Sequence, residues 1–283
     1  MTHDVGNLSQ QERMQHVLRL LQTRDAVHVS ELSKTFAVSE VTVRSDLSKM
    51  ARRGLVARVR GGVRPLERGQ SELGFDIRLR LEVERKQAIA RAAAALVDEG
   101  EAVALDSSTT AYYLALELRT KKELVVVTNG LLIAAALADA PGISVLVTGG
   151  MLRLQAMSLV GDLAADALRT TRISKGFLGA RGLNLDLGLM DLNPDEVRIK
   201  REIAEVCERV IGILDGTKWH RTALLPFVGT DQVDAIVTDT SAPATDVGAW
   251  RARDVDVVCV DPADSAPPVQ PPGLRRISAA SPR

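Results

Sequence analysis

From residue 101 onward the chain repeats one pattern: a short apolar run, then a helix-like segment, then another run. The runs are AVAL at 102–105, LVVV at 124–127, ISVLV at 143–147, GFLGA at 176–180, VIGIL at 210–214, DAIV at 234–237 and VDVVCV at 255–260. A strand with one wet face alternates apolar and polar residues. Continuous apolar runs separated by helices instead mark a parallel sheet covered on both faces. This pattern predicts an α/β domain over residues 85–261, opened by an alanine-rich helix from Arg85 to Asp98.

In such sheets a ligand binds beyond the carboxyl ends of the strands. The residues just after each run are therefore the candidates. After the first run come Asp106, Ser107, Ser108, Thr109 and Thr110, leading into a helix start. Hydroxyls beside free helix amides form an anion cradle, although a capped helix with surplus Ser and Thr has the same pattern. Later run ends carry Thr128 and Asn129, then Gly149 and Gly150, then Gly179 and Arg181, then Asp215 and Lys218. The glycines permit close backbone approach, as does any tight turn. The argument is the convergence of five polar or glycine-rich strand ends.

One helix adds a sharper signal. Asn193 and Pro194 are cap and first-turn residues, and acids follow. The predicted apolar face is Ile199, Ile203, Val206, Cys207 and Val210, with Arg198, Arg201, Glu202, Glu205 and Glu208 opposite. Glu196 and Lys200 fall on the apolar side. An ordinary i, i+4 surface pair is worth roughly 0.2–0.5 kcal/mol and has no reason to prefer that side. Both are therefore predicted to reach into the cleft, Lys200 toward an anion and Glu196 toward hydroxyls.

The amino-terminal part is different. Residues 8–23 predict a helix with a Ser9/Glu12 capping box and an apolar face of Met14, Val17, Leu18 and Leu21. Ser30 predicts the cap of a short helix ending near Ala37, carrying Leu32 and Phe36. Ser39 caps a second helix, Glu40 to about Arg53, whose buried stripe is Val43, Leu47 and Met50. Two short strands around a Gly61-Gly62 turn follow. This is a helix-turn-helix with a wing, spanning residues 8–64. The start of its second helix enters the major groove, where Arg reads guanine well. The predicted DNA-facing set is Ser30, Ser39, Glu40, Val41, Thr42, Arg44, Ser45, Lys49, Arg53, Arg58, Arg60, Gly61 and Gly62. Between residues 8 and 68 twelve Lys/Arg stand against six acids, a net of +6 in a chain whose net charge is zero. A basic head suits phosphate-backbone binding, though many solvated faces are as basic.

Residues 65–84 read as a linker, and 262–283, rich in proline, as a flexible tail. Cys207 and Cys259 are expected to be buried packing residues. The four histidines lack metal-ligand spacing, so no metal or cofactor is expected. With neither a signal peptide nor a span of about twenty apolar residues, the expected location is the cytoplasm, with no membrane contact.

Residues 38–63, VSEVTVRSDLSKMARRGLVARVRGGV, resemble the DeoR-type family of bacterial regulators. Val38, Ser39, Thr42, Val43, Arg44, Asp46 and Leu47 match its V-S-x-x-T-[IV]-R-R-D-L pattern, and Arg58, Gly61 and Gly62 match its wing. Ser45 stands for the second Arg and Arg60 for the usual His, departures at expected DNA contacts that bear on the operator sequence and not on binding itself. The second half is similar to the family's effector domain at Lys86 to Ala90, Leu105 to Thr110, Val127 to Asn129, Gly149-Gly150, Phe177 to Gly179, Glu196/Lys200 and Asp215/Lys218. Ser108 stands for a usual Gly. The resemblance implies a fold like the sugar-phosphate isomerases and CoA-transferases, a Rossmann-like sheet. It further implies a repressor of a carbohydrate operon that binds operator DNA as a homodimer or homotetramer and is released by a phosphorylated sugar. Two alternatives stay open. One is an isomerase-like enzyme using Asp106, Asp186, Glu196 and Lys218 as acid–base groups. The other is a constitutive DNA-binding regulator with a degenerate pocket.

Overall fold

Ser9 satisfies the first turn of helix α1 (Gln10–Thr23) from both sides. Its Oγ accepts from Glu12 N at 3.3 Å, and its own N–H donates to Glu12 Oε2 at 2.7 Å, the predicted capping box. The computed structural model describes residues 8–52, 55–64, 73–219 and 221–264. The chain divides into two units, Met1–Glu82 and Val83–Arg283.

In the first unit α1 is followed by β1 (Val27–His28), α2 (Val29–Phe36), α3 (Glu40–Arg52), β2 (Ala57–Val59), β3 (Gly62–Arg64) and α4 (Phe75–Leu79). The predicted stripes are its core: Met14, Val17, Leu18, Leu21, Leu32, Phe36, Val43, Leu47 and Met50 are all buried. Each such large side chain contributes roughly 1.5–3 kcal/mol on burial. Two details differ from expectation. Ser30 is exposed and does not cap α2. The helix begins two residues earlier than that cap implies, with His28 in the cap position and Val29 N donating to Gly61 O at 2.8 Å. The cause is β1, too short to show as a pattern, which pairs with β3 and draws the chain against the wing. The wing turn is Arg60-Gly61, with Gly61 at φ +78°, and Gly62 belongs to β3. A side chain on Gly62 would lie 2.2 Å from Val27 O, so the glycine is required by the passing strand. The linker expected over 65–84 is in part structured. Leu73, Ile77 and Leu81 pack on this core, and the second unit begins at Val83. Residues 65–72, like 265–283 of the predicted tail, lie outside the described residues.

The second unit runs α5 (Val83–Ala94), β4 (Ala102–Leu105), α6 (Thr109–Leu118), β5 (Leu124–Thr128), α7 (Leu131–Leu137), β6 (Ile143–Val147), β7 (Met151–Arg153), β8 (Ser158–Val160), α8 (Asp162–Arg169), β9 (Ile173–Leu178), β10 (Gly182–Asn184), β11 (Gly188–Asp191), α9 (Pro194–Val206), β12 (Cys207–Ile213), β13 (Leu225–Val228), β14 (Ala235–Asp239), α10 (Ala244–Arg251) and β15 (Asp256–Val260). The seven predicted runs form one seven-stranded sheet in the order β15-β14-β12-β9-β4-β5-β6, with every neighbouring pair parallel. From β4 the chain moves outward through β5 to β6. It then returns to β9, on the other side of β4, and proceeds to β12, β14 and β15. The strand order therefore reverses between β4 and β9.

Helix α9 stops at Val206 and passes directly into β12, so Cys207 and Val210 are strand residues rather than part of a helix face. Glu202 is buried against Arg169 rather than exposed. Cys207 is half-buried, and its thiol is pushed up to about 12 by burial, whereas Cys259 is exposed rather than packed. Among the described residues no helix is long and apolar enough to cross a membrane, and no metal-binding group is found.

Candidate functional site

The amino end of α3 is set by Ser39, whose Oγ accepts from Thr42 N at 3.2 Å. Glu40, Val41, Arg44 and Ser45 are exposed there. Thr42, by contrast, is half-buried and its hydroxyl lies 2.9 Å from Ser39 Oγ. Arg44 reaches back to Glu40 at 3.0 Å, an exposed pair worth only a few tenths of a kcal/mol and easily exchanged for a base edge. Val41 is 76% exposed, an apolar side chain of the kind that meets a thymine methyl. Lys49 donates to Gln10 Oε1 at 3.1 Å. Arg58, Arg60 and Gly61 are exposed on the wing, whereas Gly62 is buried. Arg53 lies outside the described residues. Asp46, a motif residue, faces inward: Arg13 Nε donates to it at 2.8 Å, which fastens α1 to α3.

The second cluster sits where the sheet order reverses. Asp106, at the end of β4, is 1% exposed. Its Oδ1 accepts from Ser108 N at 3.0 Å, and its Oδ2 accepts from Gly179 N at 2.9 Å beyond β9. The ends of the two central strands are thereby tied together. Ser108 caps α6, its Oγ accepting from Ala111 N at 3.1 Å. A Cβ on Gly179 would lie 2.4 Å from Ser108 Cβ, so the serine in the loop demands glycine opposite.

Lys200 is fully buried but does not face an open cleft. Its Nζ lies 3.0 Å from Asp106 Oδ2 and 2.7 Å from Asp191 Oδ2, donates to Gly179 O at 2.5 Å, and sits 4.9 Å over the Phe227 ring. Burial alone would lower its pKa, but the two carboxylates outweigh this and hold it above the usual lysine range. Arg181, expected as a ligand residue, lies 3.8 Å from Asp191. Burial opposes ionisation of Asp191 too, yet Lys200 and Arg181 hold it below the usual carboxylate range.

Glu196 does meet hydroxyls, and they are the protein's own. It accepts from Ser107 Oγ at 3.0 Å, from Ser158 Oγ, and from Arg153 Nη1 at 3.2 Å. Ser158 and Arg153 belong to the β7–β8 hairpin, which no sequence pattern had marked because each strand has only three residues. The hairpin is joined to the end of β5: Leu159 N donates to Asn129 O at 2.7 Å, and Asn129 Nδ2 donates to Leu159 O at 3.2 Å. Thr128 Oγ1 donates to Leu105 O at 2.7 Å and accepts from Gly130 N at 3.0 Å. Asn129 is 1% exposed, and its Oδ1 is a buried side-chain acceptor with no partner among the described residues. Gly149 and Gly150 are exposed beyond β6, both with positive φ.

Farther along the rim, Asp215 is buried at the end of β12, its Oδ2 3.1 Å from Lys218 Nζ. Burial opposes its ionisation, but Lys218 and Lys86 hold it well below the usual range. Lys218 also donates to Thr217 Oγ1 at 3.0 Å. Asp186, named as an acid–base candidate, stands exposed on the β10–β11 turn. A separate cavity of about 330 Å³ between Asn184, Trp219, Asp246 and Trp250 involves none of the predicted strand-end residues.

Comparison with known proteins matches each half. Residues 13–68 match a DeoR-like helix-turn-helix domain, and residues 81–240 match a DeoR C terminal sensor domain. The HTH-type transcriptional regulator GolR of Listeria innocua is 34% identical over 81% of this chain and 90% of its own length. The glycerol-3-phosphate regulon repressor of Escherichia coli is 29% identical over 84% of this chain and 94% of its own. Among solved structures, ribose 5 phosphate isomerase A from Neisseria gonorrhoeae aligns with 47% of this chain and 52% of that one, at 18% identity and a TM-score of 0.34.

Proposed function

Because the chain belongs to the DeoR family, we propose that it represses a carbohydrate-metabolism operon and leaves its operator when a phosphorylated sugar occupies the strand ends of the second unit. The observation that carries this reading is the loop 106–110. It lies where the strand order reverses, the place at which open α/β sheets bind ligands, and it feeds the amino end of α6, which favours an anion. Asn129 Oδ1, buried and without a partner among the described residues, adds an acceptor for a sugar hydroxyl beside it. A relative named for glycerol-3-phosphate supports a small phosphorylated polyol as the ligand class.

On this reading Ser107, Thr109, Thr110, Asn129, Gly149 and Gly150 line the ligand, with Lys218 and Asp215 at the far end of the rim. Lys200, Asp191, Asp106 and Arg181 form the internal ion cluster that holds the β4 and β9 ends in register. Arg44 and Val41 read bases while Arg58 and Arg60 touch backbone. Paired copies place two readers on successive half-sites. By linkage, ligand weakens DNA binding by the factor by which DNA weakens ligand binding. An enzymatic reading on the same fold is less well supported, because Glu196 and Lys218, two of its acid–base candidates, are engaged by protein partners.

The test is an operator titration with and without sugar phosphates, run beside an assay for isomerised product. Ligand-dependent release without turnover is expected. Turnover refutes the regulatory reading of the site, and unchanged DNA affinity under saturating ligand refutes its control of the reader.

A further inference from the structure

The exposed apolar side chains of the chain gather in one place. Of the eleven large hydrophobic side chains that stand open among the described residues, eight lie between positions 125 and 163. Met151, Leu154 and Leu163 are 76, 74 and 73% exposed, and Leu146, Val147 and Leu152 are each 41% exposed. They come from β6, the β7–β8 hairpin and the first turn of α8, which adjoin one another. The β6–β7 connection lies against α8, since a Cβ on Gly150 would meet Ala164 Cβ at 3.2 Å. Met151 pairs with Val160, two residues before α8 begins. Leu131 N donates to Met157 O at 2.9 Å, which brings the start of α7 to the same hairpin.

We propose that a second copy of the chain docks on this face about a twofold axis, so that the same residues meet from both sides. The inference rests on the proposed function, which needs paired readers, and names the surface that pairs them.

The edge of the sheet points the same way. β6 is the last strand and, among the described residues, pairs with β5 alone, in unbroken register. None of its five residues is buried. Free edges are ordinarily blunted by lysine, proline or a bulge. β6 reads Ile-Ser-Val-Leu-Val and has none of these, and from Ile143 to Gly161 the one charged residue is Arg153. The opposite edge, β15, carries an exposed Asp256 and is flanked by Arg253, Asp254 and Asp261.

Charge and size identify the occupant. Arg153 lies 3.2 Å from Glu196, so two copies facing each other oppose no uncompensated like charges. Nucleic-acid backbone and anionic lipid both call for clustered Lys and Arg, which this face lacks. Eight aliphatic side chains open to this degree present on the order of 500 Å² of apolar surface. A standard interface buries about 800 Å² per partner, and in homodimers about 65% of it is apolar, which is the same amount. At the border Asp162 pairs with Arg198, a charged rim around the apolar centre. The face is also continuous with the proposed ligand loop. Ser158 of the hairpin and Ser107 of loop 106–110 both donate to Glu196, and Gly149-Gly150 lead from β6 into β7. A ligand at the strand ends thus bears on the elements that meet the second copy.

The test is sedimentation equilibrium of the full-length chain over a range of concentrations, without ligand or DNA. The wild type is expected to self-associate. Leu154→Glu with Leu163→Glu, both outside the proposed ligand lining, is expected to raise the dissociation constant of that step tenfold or more. Leu187→Glu with Leu224→Glu, exposed apolar residues elsewhere in the same unit, is expected to leave it unchanged. Circular dichroism melts check the folding of each variant, and Met151→Lys, a single change on the same face, carries the test if the first pair melts early. Amide exchange over residues 143–154 gives a second reading: protection should rise with concentration in the wild type and not in the variant. A monomeric wild type overturns the assignment, whether the segment then exchanges freely or is protected at every concentration, the mark of a cover supplied by the chain itself. An association that survives the changes on this face, or that the control pair breaks equally, overturns it as well. An association broken only at this face, in a protein that no sugar phosphate releases from its operator, leaves the interface standing while the proposed function fails.

Discussion

Replacing Lys200 by Met tests whether this lysine is structural or ligand-facing. The substitution removes one ammonium from between Asp106 and Asp191, to which it stands at 3.0 and 2.7 Å. Breaking a buried pair from one side costs about 3–5 kcal/mol, because the remaining charge is left uncompensated. Two carboxylates remain here, but Asp106 keeps bonds from the amides of Ser108 and Gly179, and Asp191 keeps Arg181. The same range of about 3–5 kcal/mol is therefore expected at pH 7, rather than twice that. At roughly 2–4 °C per kcal/mol for a domain of 150–250 residues, the melting midpoint should fall by about 6–20 °C. The pH dependence adds a second criterion. In the wild type the pKa of Asp191 is depressed, so its contribution is present above the unfolded carboxylate value and is lost as pH falls through the lower folded value. Lys200 is raised, so its own contribution holds below the unfolded lysine value and is lost only as pH rises past the folded one. Without the ammonium, one of the two acids gains by taking a proton. The variant should accordingly grow more stable from pH 7 toward about pH 4, the range in which such a raised carboxylate protonates, and the gap to wild type should narrow. Urea unfolding followed by tryptophan fluorescence measures this cleanly, since both tryptophans, Trp219 and Trp250, lie in the second unit. A loss under about 1 kcal/mol, or a gap that does not change with pH, would refute the account of a compensated buried cluster.

Arg44→Ala should remove a base contact worth about 1–3 kcal/mol and leave ligand affinity unchanged, whereas Arg58→Ala or Arg60→Ala should weaken binding to all sequences and lower the salt slope by about one unit each; anisotropy titrations at several salt concentrations separate the two. Gly179→Ala should destabilise by about 1–3 kcal/mol through the clash with Ser108. Adding Ser108→Gly should recover most of that loss, since glycine replaces serine at a cap at small cost, and denaturant melts of the double-mutant cycle give the coupling. Thr109→Ala should yield a repressor that binds operator normally but resists release, as read by gel shift with added ligand.

The parts of the fold readable in advance were those held by periodicity. Seven apolar runs became seven parallel strands, and the stripes of α1 and α3 became the core of the first unit, because burying those faces dominates the energetics and leaves little choice of partner. What the sequence did not reveal depends on close approach between distant segments. β1 has two residues and exists because Gly62 lets Val27 pass. The β7–β8 hairpin has three residues per strand and is fixed by bonds to Asn129, some thirty positions away. The charged residues of α9 divide along the same line. Spacing placed Glu196 and Lys200 on the buried face, and both are buried, but periodicity carries no information about which charges wait there. Lys200 meets Asp106 and Asp191, brought in from the end of β4 and from β11, rather than the ligand anion toward which its position was expected to reach. Arg153 follows no motif, yet Glu196 draws it to the loop that precedes α6. Buried carboxylates thus decide where these cations are held, and an i, i+4 spacing carries no information about which carboxylate will be waiting.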